Sequence, residues 1–86
     1  MSTPLTTPTG SNSADQCRQM GLTVGDVIQG RETYGNDWSE SRLTLLFVGN
    51  EVAVFSEERR NNQNPKWRKD GESGNWTLNC RAWSRV

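Results

Sequence analysis

The chain has 86 residues, which allows one small domain with one hydrophobic core. Its ten Lys and Arg residues balance ten Asp and Glu residues, so no net charge draws the whole protein to nucleic acid or to an anionic membrane. It contains no His, the commonest general base and metal ligand, but its four Trp residues provide core volume that disordered chains lack.

The N-terminal part predicts a tail followed by a short helix. Residues 1–12 are rich in Ser, Thr, Pro and Gly, and we predict a disordered tail before a single domain at residues 13–86. From Ser13 the sequence Ser-Ala-Asp-Gln has the spacing of a capping box, and Gly21 ends the helical pattern. The absence of a signal peptide predicts a cytoplasmic protein with reduced thiols at Cys17 and Cys80.

The segment RLTLLFVGNEVAVF, residues 42–55, predicts a β-hairpin, because two apolar runs flank the turn sequence Gly49-Asn50. A two-residue turn pairs Phe47 with Val52 and places both on the core face. The second face of this hairpin is also partly apolar. We expect other strands to curl over it; the alternative is an exposed apolar strip that serves as an interaction site.

The remaining apolar segments predict a small barrel. Residues 22–33 and 75–80 are predicted as the first and last strands, and Lys66–Lys69 as an edge strand. Short strands, Gly turns and one helix indicate a mainly β fold. We predict a small antiparallel barrel of the Src-homology-3-like or oligonucleotide-binding type.

Chemistry that needs a catalytic group, a metal or a phosphate loop is not indicated. Cys17 and Cys80 lie far apart in the sequence, and no cluster of Asp or Glu has the spacing of a metal site. No Gly-rich loop leads into a helix with a following Lys. We therefore predict a protein that is not an enzyme and has no cofactor.

Two groups of residues are candidates for binding. Trp and Arg are enriched at the centres of protein interfaces, and we predict partner-binding roles for Trp38, Trp67, Arg31 and Arg42. Trp76 and Trp83 are predicted to fill the core. A basic run around Trp67 is typical of proteins that bind single-stranded nucleic acid, although acidic residues flank it; its members are Arg59, Arg60, Lys66, Arg68 and Lys69.

The blocks VGDVIQGRE, RLTLLFVGNEVAVF and NWTLNCRAW resemble a family of short uncharacterised proteins encoded by tailed bacteriophages and prophages of enterobacteria. The resemblance covers about residues 21–86, and Phe55 stands where the family pattern tends to have Trp. It implies a phage accessory protein that binds a host protein, in host takeover or against a defence system. The alternatives are a single-stranded nucleic-acid-binding module and a protein that sequesters a small molecule.

Overall fold

The computed structural model describes residues 3–86 and contains one antiparallel sheet and one helix, α1 (Ser13–Gln19). The spatial order of the strands is β1-β6-β2-β3-β4-β5. The strand bounds are β1 Thr3–Pro4, β2 Val27–Tyr34, β3 Asp37–Val48, β4 Ala53–Asn61, β5 Arg68–Ser73 and β6 Trp83–Arg85. The prediction of a mainly β fold with a short helix is confirmed.

The sheet is open, so the closed Src-homology-3-like barrel is not confirmed. Strands β1 and β5 form its two edges, and no pairing joins them within residues 3–86. The segment 75–80, predicted as the last strand, lies outside the sheet, and its Leu78 is buried in the core instead. The strand that follows it, β6, has only three residues and pairs with β1 and β2. No strand is therefore left to close the sheet onto β5.

Helix α1 covers one face of the sheet, which we call the inner face. Side chains that alternate along β2, β3 and β4 are buried there, and Cys17 and Met20 pack onto them from the helix side. The strand residues of this core are Ile28, Leu43, Leu45, Ala53, Phe55 and Trp83. Both cysteines are free; Cys17 is buried, which raises the pKa of its thiol to about 11, and Cys80 is exposed.

Buried polar side chains fix α1 to the sheet, and this corrects the predicted capping box. The helix is capped by Asn12, whose side chain accepts a hydrogen bond from the amide of Asp15. Ser13 accepts instead from the amide of Ala53 at 2.8 Å, and Gln16 accepts from the amide of Leu78 at 2.8 Å. The two box residues thus satisfy backbone donors of other segments, which would otherwise be buried without partners.

The predicted hairpin forms, but its register differs from the prediction. The turn spans Gly49 to Val52, with the amide of Gly49 donating to the carbonyl of Val52. Phe47 pairs with Val54 rather than with Val52, and a β-bulge lies between Leu45 and Phe47. Because the turn is longer and β3 contains one extra residue, Leu46, each side chain of β4 lies on the face of the sheet opposite to the one predicted. Phe55 is therefore in the core, while Phe47 and Val52 are exposed.

The segment before α1 contacts the sheet. Pro4 of β1 pairs with Ser84, and the amide of Leu5 donates to the carbonyl of Trp83 at 3.0 Å. The amides of Thr9 and Gly10 both donate to the side chain of Gln19. Residues 1–2 of the predicted tail lie outside the described residues, and the domain boundary at residue 13 stays a prediction.

Candidate interaction surface

The four residues predicted to bind a partner lie on one surface. The sheet face opposite α1, the outer face, carries Arg31 on β2 together with Trp38 and Arg42 on β3, because these positions alternate with the buried inner-face residues. Trp67 reaches the same face from the loop between β4 and β5. The register of β2 and β3, which opposes Arg31 to Glu40 and Thr33 to Trp38, brings the strand residues together.

Arginine and tryptophan alternate across this surface in a row that we call the Arg–Trp ladder. The guanidinium carbon of Arg31 lies over the Trp38 ring, 4.1 Å from its centroid, and that of Arg42 lies over the Trp67 ring at 4.2 Å. Arg60 of β4 joins the two halves, at 4.4 Å from Trp67 and 5.8 Å from Trp38. These distances are within the range of cation–π attraction, so the aromatic and cationic groups hold one another in place.

Glu40 lies beneath the ladder and ties its arginines together. Its carboxylate is 2.7 Å from Arg60 and 3.6 Å from Arg31, and it accepts a hydrogen bond from Gln29 at 3.0 Å. Only 7% of the residue is exposed. Burial opposes ionisation, but hydrogen bonds from Arg60 and Gln29 outweigh it and hold the pKa of Glu40 below its usual value. The anionic side chain therefore acts as a fixed anchor for the ladder.

The ladder carries little free charge. Arg42 is 3.9 Å from Glu58 and also donates to the side chain of Gln29. The three arginines of the ladder thus lie within ion-pair distance of two glutamates, Glu40 and Glu58. Guanidinium groups with partners inside the protein have lost much of their freedom before any ligand arrives, which lowers the entropic cost of binding.

An apolar patch lies on the same side of the hairpin, near its turn. Phe47 is 56% exposed, Val52 48% and Leu46 39%. Phe47 pairs with Val54, which places its side chain on the outer face. No segment among residues 3–86 forms a layer on this face of the sheet, since α1 lies on the other. The exposed apolar strip therefore includes Phe47 and Val52, which were predicted on the core face, whereas Phe55 of the predicted second face is buried.

The basic run predicted for nucleic acid does not form one patch. Arg60 and Lys69 lie on the outer face, whereas Arg59 and Arg68 oppose each other on the inner face. Arg59 is paired with Glu57 at 2.9 Å and with Asp70 at 3.5 Å. Three cations form no ion pair with any carboxylate of the described residues; they are Lys66, Arg68 and Lys69.

A second group of charges lines a cleft on the inner face that α1 leaves uncovered. Arg81 contacts Glu32 there and lies 5.3 Å from the Trp76 ring, and the indole of Trp76 donates to the buried Glu57 at 3.2 Å. The cleft has a volume of about 390 Å³. Trp76 and Trp83, predicted as core residues, meet edge to face at 5.5 Å beside it. The Nε of Arg81 is buried and has no hydrogen-bond partner among the described residues.

Sequence reasoning missed Glu40 as a site residue and assigned Arg60 to a nucleic-acid loop. One signal in the sequence was available: Trp38, Glu40 and Arg42 recur at every second position and are interrupted by small or apolar residues. That alternation places all three on one face of a strand. The contribution of Arg60 depends on the register of β3 and β4, which the sequence pattern did not predict correctly.

Comparison with known proteins places the chain in a family. Residues 3–86 hold no group of three His, Cys, Asp or Glu side chains suited to a metal ion, and none of their helices is long and apolar enough to cross a membrane. No curated protein and no solved structure gives a significant match to the sequence. A family model described as a domain of unknown function, DUF7241, matches residues 11–86. The chain therefore belongs to the DUF7241 family.

Proposed function

We propose that the protein is a non-enzymatic binding module that docks a partner protein through the outer face of its sheet. The observation that carries the proposal is the Arg–Trp ladder, in which Trp38 and Trp67 are held by Arg31, Arg42 and Arg60 on a face that no other layer covers. Preorganised Trp and Arg side chains are the residues that contribute most to binding at protein interfaces.

The apolar patch extends this surface beyond the ladder. Phe47 lies five positions along β3 from Arg42, with the bulge between them, which corresponds to roughly 15 Å of strand. A protein surface is large enough to cover both anchors at once. Exposed apolar residues close to Arg and Trp side chains are the combination found in interface centres, and a soluble domain has no structural need to expose them.

The biological source of the protein and the identity of its partner are also part of the proposal. The resemblance to phage-encoded proteins suggests an accessory protein that acts in the cytoplasm of the host cell on a host protein, in host takeover or against a defence system. The partner would present apolar side chains opposite Phe47 and acidic groups near Lys66 and Lys69, which form no ion pair within the described residues.

Binding of single-stranded nucleic acid is the second candidate function, and the unpaired cations Lys66, Arg68 and Lys69 favour it. Two arrangements oppose it. The basic residues are divided between the two faces of the sheet, and two guanidiniums already lie over the ring of Trp67. Bases need an open aromatic face for stacking, and phosphates need a continuous cationic track. The third candidate, sequestering of a small molecule, would use the cleft beside Arg81.

Pull-down from host lysate with and without nuclease tests the proposal when matched variants are included. Phe47→Asp and Trp67→Ala alter the outer face, whereas Thr77→Asp adds the same charge at an exposed position beside the inner-face cleft. We expect one nuclease-resistant partner to be retained by the wild type and by Thr77→Asp and to be lost with both outer-face variants. Loss of Trp67 should cost about 2 kcal/mol or more of affinity. Equal capture by all four proteins would reject the outer face as the binding site.

A further inference from the structure

The sheet ends differently on its two sides, at β5 and at the side of β6 on which β1 lies. At the β5 edge, a register shift at Asp70 forms a bulge, and Gly71 adopts a φ of +87°. A bulged, charged edge strand is a poor template for another strand. The β6 edge has no such irregularity, because its pairing with β2 is regular from Trp83 to Arg85.

The β6 edge is instead covered by the N-terminal segment of the same chain. Thr3 pairs with Arg85 and Pro4 with Ser84, and the amide of Leu5 donates to the carbonyl of Trp83 at 3.0 Å. The side chain of Leu5 is half-buried and packs against the core. Residues 3–5 thus bind the edge as a short peptide would, with backbone hydrogen bonds and one aliphatic anchor.

This cover is small and is joined to the domain by a segment without regular structure. Strand β1 has two residues, and the exposed Thr6 and Thr7 follow its anchor. The chain is held again at the buried Pro8 and where Thr9 and Gly10 donate to Gln19. The family model begins at residue 11, so the covering segment lies outside the matched domain.

From these contacts we infer that the β6 edge is a strand-accepting groove, which residues 3–5 occupy within the chain and which an extended segment of a partner protein takes by displacing them. The displacing segment carries an aliphatic side chain at the position of Leu5. The inference does not depend on the function proposed for the outer face.

The covering segment, residues 3–5, and the partner segment differ in length and in whether they are tethered to the domain. The covering segment already contacts all three residues of β6, so a partner segment forms more backbone hydrogen bonds only where it extends past them. The covering segment has the advantage of being tethered, which gives it a high effective concentration. If the groove is open in one-tenth of the molecules, the apparent affinity for a partner is about tenfold weaker than the affinity for a vacant groove.

The test uses the 86-residue chain and a synthetic peptide of residues 1–10 as the probe. Leu5→Asp removes the aliphatic anchor and vacates the groove, and Thr6→Asp adds the same charge at the neighbouring exposed position. Peptide binding is followed by NMR through the backbone resonances of Trp83, Ser84 and Arg85. A milder variant, Leu5→Ser, replaces Leu5→Asp if the latter fails to fold.

We expect the peptide to shift these three resonances in the Leu5 variant, with an affinity at least tenfold higher than for the wild type and for Thr6→Asp. A peptide in which Leu5 is replaced by Asp should leave them unchanged. The inference is wrong if the peptide at millimolar concentration leaves the β6 resonances of the Leu5 variant unmoved. It is equally wrong if the peptide binds the wild type and the variant alike, since the groove would then not be covered by residues 3–5.

Discussion

Arg60 and Trp67 are in direct contact on the outer face, with the guanidinium carbon 4.4 Å from the centroid of the indole ring. The contact joins a strand residue to a loop residue, and the same guanidinium is 2.7 Å from the buried carboxylate of Glu40. Arg60 therefore connects the loop between β4 and β5 to the centre of the sheet. The integrity of the proposed binding surface depends on this one side chain more than on any other in the ladder.

Replacing Arg60 by Ala should destabilise the protein by about 2 kcal/mol, because it removes a cation–π contact and leaves Glu40 with fewer partners. Urea unfolding measures the change, and Trp fluorescence reports the loosening of Trp67. Arg68→Ala is the matched control, since Arg68 is exposed, lies on the inner face and should change stability by less than about 0.5 kcal/mol. Equal effects of the two substitutions would contradict the role assigned to Arg60.

Ionisation of Glu40 should make stability depend on pH in acid. Its pKa in the folded protein is below the ordinary value of 4.5, so its contribution is fully present above that pH and is lost as the pH falls through the folded-state pKa. Glu40→Gln lacks this contribution at every pH. We expect the difference in unfolding free energy between the wild type and Glu40→Gln to be largest near neutral pH and to shrink below pH 4.5. A difference that stays constant down to about pH 3 would show that the ionised carboxylate does not stabilise the fold.

The bulged register predicts opposite outcomes for the two phenylalanines of the hairpin. Phe55→Ala should cost about 3–5 kcal/mol, because Phe55 is fully buried in the core. Phe47→Ala should cost less than about 1 kcal/mol, because Phe47 is exposed at the edge of the apolar patch. Thermal or denaturant unfolding distinguishes them. The reverse order of the two effects would support a hairpin with a two-residue turn.

Binding to single strands should be weak and should not define the function. At physiological salt we expect a labelled oligo(dT) to bind with a Kd no tighter than about 10⁻⁴ M, the weak end of non-specific association. Fluorescence anisotropy over a range of salt concentrations measures it. The proposal would be contradicted by tight binding in which substitution of the basic residues reduces the slope of log affinity against log salt concentration by about 0.7 per lost phosphate contact. The residues to substitute are Arg59, Arg60, Arg68 and Lys69.

The sequence pattern predicted the elements of the fold better than it predicted which side chains lie on each face of the sheet. The hairpin at residues 42–55 follows from two apolar runs around Gly49, but its register depends on a bulge at Leu46 that no residue type marks. The last strand was predicted too early because Trp76, Leu78 and Cys80 alternate like a strand. Leu78 is buried by packing against the core, and its amide finds a partner in Gln16 instead of in the sheet.

Residues of the candidate site that are recognised by their type could be predicted from the sequence. Residues whose position depends on strand pairing could not. Trp38, Trp67, Arg31 and Arg42 were singled out by composition, and the sheet brings them together on one face. The basic run was treated as one patch because its members are close in sequence. Alternation along β4 and β5 sends neighbours to opposite sides, so closeness in sequence did not mean closeness on the surface.

The bulge at Leu46 also determines where the chain tolerates a change in length. Leu46 is the residue without a partner on β4, and Leu45 and Phe47 pair with the consecutive residues Phe55 and Val54. Deleting Leu46 would therefore straighten the strand and leave every pair in place. Deleting Thr44 would instead shift one part of β3 by a residue and exchange its two faces. Natural variation in the length of this strand is expected at the bulge, and the stretch that carries Trp38, Glu40 and Arg42 is expected to keep a fixed length.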